Sequence, residues 1–117
     1  MAIIINKNGY EHALSIINKG LEVDHSATNW EEVRPSRDEE VRFLNTHSLD
    51  EYGLWFLGLK TDADQKDISK FVYPFGDFNI VHKSALIAAE KNATQFGHEE
   101  IKAVAQKLLN TINQHKK

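Results

Sequence analysis

Apolar residues along the chain recur at two spacings, and the change from one to the other marks its elements. Tyr10, Ala13, Leu14, Ile16 and Ile17 follow the three- and four-residue steps of a helix face, between Asn8 as N-cap, with Glu11 three positions on, and Gly20 as a stop. Ser36 with Glu39, and Ser48 with Glu51, have the reciprocal spacing of a capping box. The first pair opens a short helix whose apolar side is Val41, Phe43 and Leu44. The second opens a helix in which Leu49, Tyr52, Trp55, Phe56 and Leu59 carry the heaviest aromatic load of the core, with Gly58 near its end. Farther on, Ser84 or Asn79 caps a helix over Ala85, Leu86, Ile87, Ala88, Ala89 and Ala93 that closes at Gly97. A final helix from His98 puts Ile101, Val104, Ala105, Leu108, Leu109 and Ile112 on one stripe, with Lys107, His115, Lys116 and Lys117 toward its negative end. These last two form an αα-hairpin.

Between Lys70 and Ser84 the period becomes two. With a turn at Gly76 and Asp77, the residues Phe71, Tyr73, Phe75, Phe78 and Ile80 fall on one side of a β-hairpin. A leading glycine suits a type II′ turn because it takes a positive φ without steric cost. Pro74 has no N–H to give to a ladder, so its strand belongs at a sheet edge. A hairpin alone is marginal in water and needs helices behind it. Ile3, Ile4 and Ile5 are either a short strand paired with this hairpin or an apolar lead-in to the first helix. Leu21 to Pro35 is irregular, anchored by Leu21, Val23 and Trp30, which predicts an ordered loop with at most a helical turn. Thr61 to Asp67 is polar and acidic, a loop or one loose turn. The expected fold class is therefore α+β, mainly α: four to five helices, one small antiparallel β-hairpin and a C-terminal αα-hairpin, in one domain over residues 1–117.

Composition narrows this picture. A chain of 117 residues, 41% hydrophobic and 26% charged, has the balance of an ordinary globular domain, and no apolar run approaches the roughly 18 residues of a membrane span. Its first residues lack the basic-then-apolar layout of a secretory signal, so a cytoplasmic location is expected. The absence of cysteine removes disulfides, thiolate catalysis and cysteine zinc sites. A net charge of -3 gives no general attraction to phosphate backbones, so nucleic acid is disfavoured as a partner.

The run Leu54-Trp55-Phe56-Leu57-Gly58, then Tyr73-Pro74-Phe75-Gly76-Asp77-Phe78, then Val81-His82-Lys83-Ser84-Ala85-Leu86, with the Ala88-Ala89, His98 and Leu108-Leu109 spacing, resembles a small module of uncharacterised bacterial and phage proteins. The likeness runs from Asp50 to Ile112. It implies a fold and a phage or mobile-element setting, and brings no activity, cofactor or catalytic residue with it.

Candidate chemistry gathers where the hairpin enters the helix. His82, Lys83 and Ser84 sit beside the free N–H groups of a helix start, which suit a phosphate or carboxylate, and every helix start has such donors whether or not it binds anything. Asp77 can orient His82 as an acid/base pair or simply serve its turn. Tyr73 completes the set of candidate binding residues Tyr73, Asp77, His82, Lys83 and Ser84. Of the histidines His12, His25, His47, His82, His98 and His115, no two stand three or four apart, so no metal is expected. Asp62, Asp64 and Asp67 begin like a calcium loop, yet Asp67 stands where the loop needs glycine and Tyr73 where it needs glutamate. Ala93 and Gly97 have the skeleton of a DNA-reading helix pair, but His98-Glu99-Glu100 would bring carboxylates to phosphates, which favours a plain αα-hairpin. Trp30, Tyr52, Trp55 and Phe56 fit either a stacking surface or the core. The expectation is a non-enzymatic protein-interaction module with a protein partner, no cofactor and no membrane, monomeric or a weak homodimer. The alternative is an anion or nucleic-acid site at His82 and Lys83.

Overall fold

A computed structural model describes residues 3–19, 23–24, 29–62, 68–78 and 80–115. In chain order its elements are β1 (Ile3–Ile5), α1 (Lys7–Asn18), β2 (Val23–Asp24), the single turn α2 (Trp30–Val33), α3 (Arg37–Thr46), α4 (Leu49–Gly53), β3 (Phe56–Lys60), a 3-10 turn (Ile68–Lys70), β4 (Phe71–Pro74), β5 (Val81–His82), α5 (Lys83–Phe96) and α6 (Glu99–His115). The fold is α+β and mainly helical. Three antiparallel strands lie in the order β1-β3-β4, with Ile5 opposite Gly58 and Gly58 opposite Val72. A second, parallel pair joins β2 to β5, Asp24 opposite His82. The expected stop at Gly20, the anchor Leu21, the cap Asn79 and residues 63–67 lie outside the described residues.

Strand β3 corrects the largest sequence expectation. The Ser48 capping box is present, but its helix ends at Gly53, and Phe56 to Lys60 is the central strand instead of a continuation of that helix. Gly53 is where the ring of Phe71 crosses, since a Cβ there would lie 2.3 Å from it. The strand was hidden because both of its faces are covered: Phe56 is 5% exposed on one side and Leu57 0% on the other. A strand buried on both faces reads as an unbroken apolar run, which periodicity does not distinguish from a buried helix. Burying each of those side chains stabilises the fold by about 2 to 3 kcal/mol. Ile3 to Ile5 are a strand, and they pair with β3 instead of with the hairpin.

Helix α1 begins two residues earlier than Asn8 predicts. Its N-cap is Asn6, whose side chain turns into the core and donates to the carbonyls of Gly53, at 2.8 Å, and Phe56, at 2.9 Å. The polar side chain is buried because it satisfies two carbonyls that α4 and β3 leave facing inward. The capping box at Ser36 opens α3 as expected, and α3 itself has no buried residue. At the other end of the chain α5 and α6 pack as an αα-hairpin. Gly97, at φ 73°, lets His98 donate its N–H back to the Ala93 carbonyl at 2.8 Å. Ile101, Ala105, Leu108 and Ile112 face the core, as their stripe predicts, and Trp30, Tyr52, Trp55 and Phe56 are core residues.

The hairpin turn lies beyond Gly76. Gly76 bridges antiparallel to Val81, the Asp77 N–H donates to the Ile80 carbonyl at 3.2 Å, and the Ile80 N–H donates to the Asp77 carboxylate at 2.8 Å, so the chain reverses between Asp77 and Ile80. Phe78, at φ 70°, takes the left-handed conformation expected of Gly76. Gly76 is required for space: a Cβ would lie 2.5 Å from the Ile80 carbonyl oxygen and 2.6 Å from the Trp55 ring. The one-sided aromatic row is broken as well. Phe71 and Phe78 both pack on Tyr52, Phe75 packs on Trp55, and Tyr73 leaves the row.

Candidate functional site

Tyr73 has φ 64°, a conformation that costs a bulky residue about 1 to 2 kcal/mol. Its effect is to reverse the strand alternation locally. A Cβ on Gly58 would lie 2.9 Å from Val72, 3.1 Å from the Tyr73 ring and 3.2 Å from Ile3, so Tyr73 lies on the same face as its neighbour Val72, across the bare backbone of Gly58. The phenol reaches His98 Nδ1 at 2.5 Å, edge-on to the imidazole, and burial raises the Tyr73 pKa above its usual value.

This ring forms one wall of a hollow of about 580 Å³ between α2, β4 and α5. Ala85, Ala88 and Ala89 form its floor on α5, Val72 and Pro74 flank Tyr73, and Arg34 and His98 stand at its polar margin. Phe96, 64% exposed, projects at the rim. A second hollow of about 460 Å³ shares Arg34, Val72, Tyr73 and Pro74 with the first and adds Arg37, Glu40 and Ser69. The two adjoin at Arg34 and at Val72 to Pro74 of β4, which is an edge strand, as the missing N–H of Pro74 predicts.

Asp77 and His82 do come together. His82 is 5% exposed, and its Nε2 lies 3.1 Å from Asp77 while its Nδ1 lies 3.5 Å from Asp24, with Trp30 tilted against the ring at 5.3 Å. The tautomer with its hydrogen on Nε2 donates to Asp77, while Asp24 stands at ion-pair distance from the other ring nitrogen. The carboxylates stand at opposite nitrogens and do not converge as a ligand set, and neither His82 nor Asp77 lines either hollow. The arrangement ties the β2-β5 pair to the hairpin turn. Lys83 extends to Asn113 on α6 at 3.4 Å, and Ser84 lies half-buried in the first turn of α5. The candidates therefore separate into Tyr73 at the hollow, Asp77 with His82 in a clamp, and Lys83 and Ser84 in the first turn of α5, with the Lys83 side chain turned toward α6.

Sequence reasoning passed over Arg34, Ala88 and Phe96 as parts of a site, and weighed His98 only as a metal ligand or at a DNA-reading helix entry. Spacing gave no signal for Phe96: three residues after Ala93 and seven after Ala89, it falls on the apolar stripe of α5, yet it is 64% exposed because α5 ends there, beyond the core. Compared with models of protein families, with curated proteins and with solved structures, the chain has no match. Geometry therefore supplies the evidence for function.

Proposed function

We propose that this chain is a non-enzymatic binding module that docks a protein partner in the hollow between α2, β4 and α5, in the cytoplasmic, bacterial or phage setting its sequence suggests. The observation that supports this most is the strained Tyr73, whose ring lies over a glycine to wall a hollow with an alanine floor. Strain of this kind persists where the surrounding structure fixes it, and it clusters at binding sites. An exposed phenylalanine at the rim supplies the apolar anchor that protein interfaces favour. Catalysis by Asp77 and His82 gains no support from their position, because a substrate in either hollow would not touch them. An anion at His82 would meet two carboxylates before it met the ring.

The test is a pull-down from native host lysate with the wild-type chain and with Ala88→Arg, which fills the floor from a half-buried helix position. A partner retained by the wild type and lost by a variant with an unchanged circular dichroism spectrum is the expected result. Equal retention by both would remove the hollow as the docking site.

A further inference from the structure

We propose that the partner segment is the C-terminal end of a polypeptide, its last side chain apolar and on the alanine floor, its free carboxylate held by Arg34 and the Tyr73–His98 pair; this rests on the hollow being where the partner docks. Hydrogen accounting selects the carboxylate. The neutral Tyr73–His98 pair has one O–H and one ring N–H, and only one of them is used between the phenol and Nδ1. Whichever tautomer is present, one polar hydrogen remains at the pair for an outside acceptor. Arg34 adds a guanidinium that lines both hollows. Its bond to Glu31, at 3.2 Å, joins side chains 42% and 68% exposed, and a surface pair of that kind is exchanged for another carboxylate at little cost. Planar guanidinium recognises carboxylate through paired, charge-assisted hydrogen bonds.

The length of the groove selects a chain end over a free small acid. A small acid would occupy the first hollow and leave the second, lined by Arg37, Glu40 and Ser69, empty. A peptide entering along β4 would use both. It would lie beside an edge strand, where an extended chain finds backbone partners that a small molecule does not need. Val72, Tyr73 and Pro74, shared by the two hollows, would run alongside it. The terminal residue would then sit on the alanine floor, with Phe96 folding over its side chain.

Amide-resolved NMR titration of the full chain tests this with acetylated tetrapeptides Gly-Ser-Gly-Phe and Gly-Ser-Gly-Leu bearing a free carboxylate, the same peptides as C-terminal amides, and phenylacetate. At least one free acid is expected to give saturable shifts centred on Tyr73, Ala88, Phe96 and His98, and its amide to bind about tenfold more weakly, the loss expected for one charge-assisted hydrogen bond. Arg34→Gln should weaken the acid by a similar factor and leave the amide unchanged. Equal affinity of acid and amide would overturn the carboxylate assignment while leaving the hollow as a peptide site. Phenylacetate binding as tightly as the peptides would overturn the polypeptide source. Absence of shifts at the hollow with every probe would overturn the proposal, and the Ala88→Arg pull-down separately decides whether the docking site falls with it.

Discussion

Replacing Gly9 by alanine sets two physical effects against each other with opposite signs. Gly9 lies inside α1, and on helix propensity alone alanine would stabilise the chain by about 1 kcal/mol. The structure reverses the sign. A Cβ at this position would lie 1.9 Å from the Phe56 carbonyl oxygen and 3.0 Å from the Asn6 amide nitrogen. Ordinary contact begins at 3.4 Å, so α1 would have to lift by 3.4 − 1.9 = 1.5 Å from the central strand. That same carbonyl accepts the Asn6 side chain at 2.9 Å, and the lift breaks the bond. Overpacking costs about 1 to 3 kcal/mol. A buried carbonyl left unpaired adds about 1 to 3 kcal/mol. After the propensity gain the net loss is about 3 kcal/mol, which at a urea slope of about 1 to 3 kcal/mol per molar lowers the midpoint by about 1 to 3 M. Chemical unfolding followed by tryptophan fluorescence reads this directly. A Gly9→Ala midpoint at or above that of the wild type would refute the close approach of α1 to β3. Gly97→Ala is the control: nothing lies within 4 Å of its Cβ, so only the φ of 73° opposes it, at about 1 to 2 kcal/mol.

Three further outcomes follow from described contacts. Asn6→Ala strands two buried carbonyls and should cost about 2 to 4 kcal/mol in thermal unfolding, and Asn6→Asp more, because a carboxylate is acceptor-only against two acceptors; an Asp variant as stable as the wild type would contradict this. Phe43 and Leu44 hold α3 to the core, Phe43 by stacking on Phe78 at 4.5 Å, so Phe43→Ala should speed hydrogen exchange across residues 37–46 and leave α5 and α6 protected. Exchange that rises everywhere, or nowhere, would count against α3 as a separately held piece. Burial first, and then the charge of Lys19, lower the His12 pKa below its ordinary value of 6.5, and among the described residues its buried Nε2 has no hydrogen-bond partner. The unfolded chain therefore takes the proton first as pH falls, so His12 should subtract stability progressively below pH 6.5, and His12→Gln should flatten that part of the urea midpoint profile. An unchanged slope in the variant would assign the pH dependence elsewhere.

Local rules carried the sequence reading where an element is decided locally. Ser36 with Glu39 and Ser48 with Glu51 are capping boxes because each signal spans one turn, and Gly97 closes α5 because only the next residue has to fold back. Phe56 to Lys60 escaped for the opposite reason. Its strand identity depends on Ile3 to Ile5 and Phe71 to Pro74 arriving on either side, and the run from Leu54 to Leu59, with no polar side chain in it, contains no period to betray them. Asn6 was missed as the cap because its side chain serves two carbonyls from distant elements, a duty that only tertiary structure reveals. At the candidate site, the Asp77–His82 contact was legible from closeness in sequence, whereas Asp24 was not, being brought in by the parallel β2-β5 pair. Tyr73 was singled out, but on the wrong face. Its placement depends on Gly58, a residue whose missing side chain matters only once β3 and β4 lie side by side.

Helix α6 follows every other described element, yet it packs against α1, the first helix, and against β1. Ile17 on α1 and Ile112 on α6 are each 1% exposed. During synthesis the early isoleucines therefore emerge long before their cover, and the native body closes only after residues 99–115 have cleared the ribosome. Until then the nascent chain presents an apolar surface of the kind that holding chaperones bind, so folding is committed late, by its last described helix.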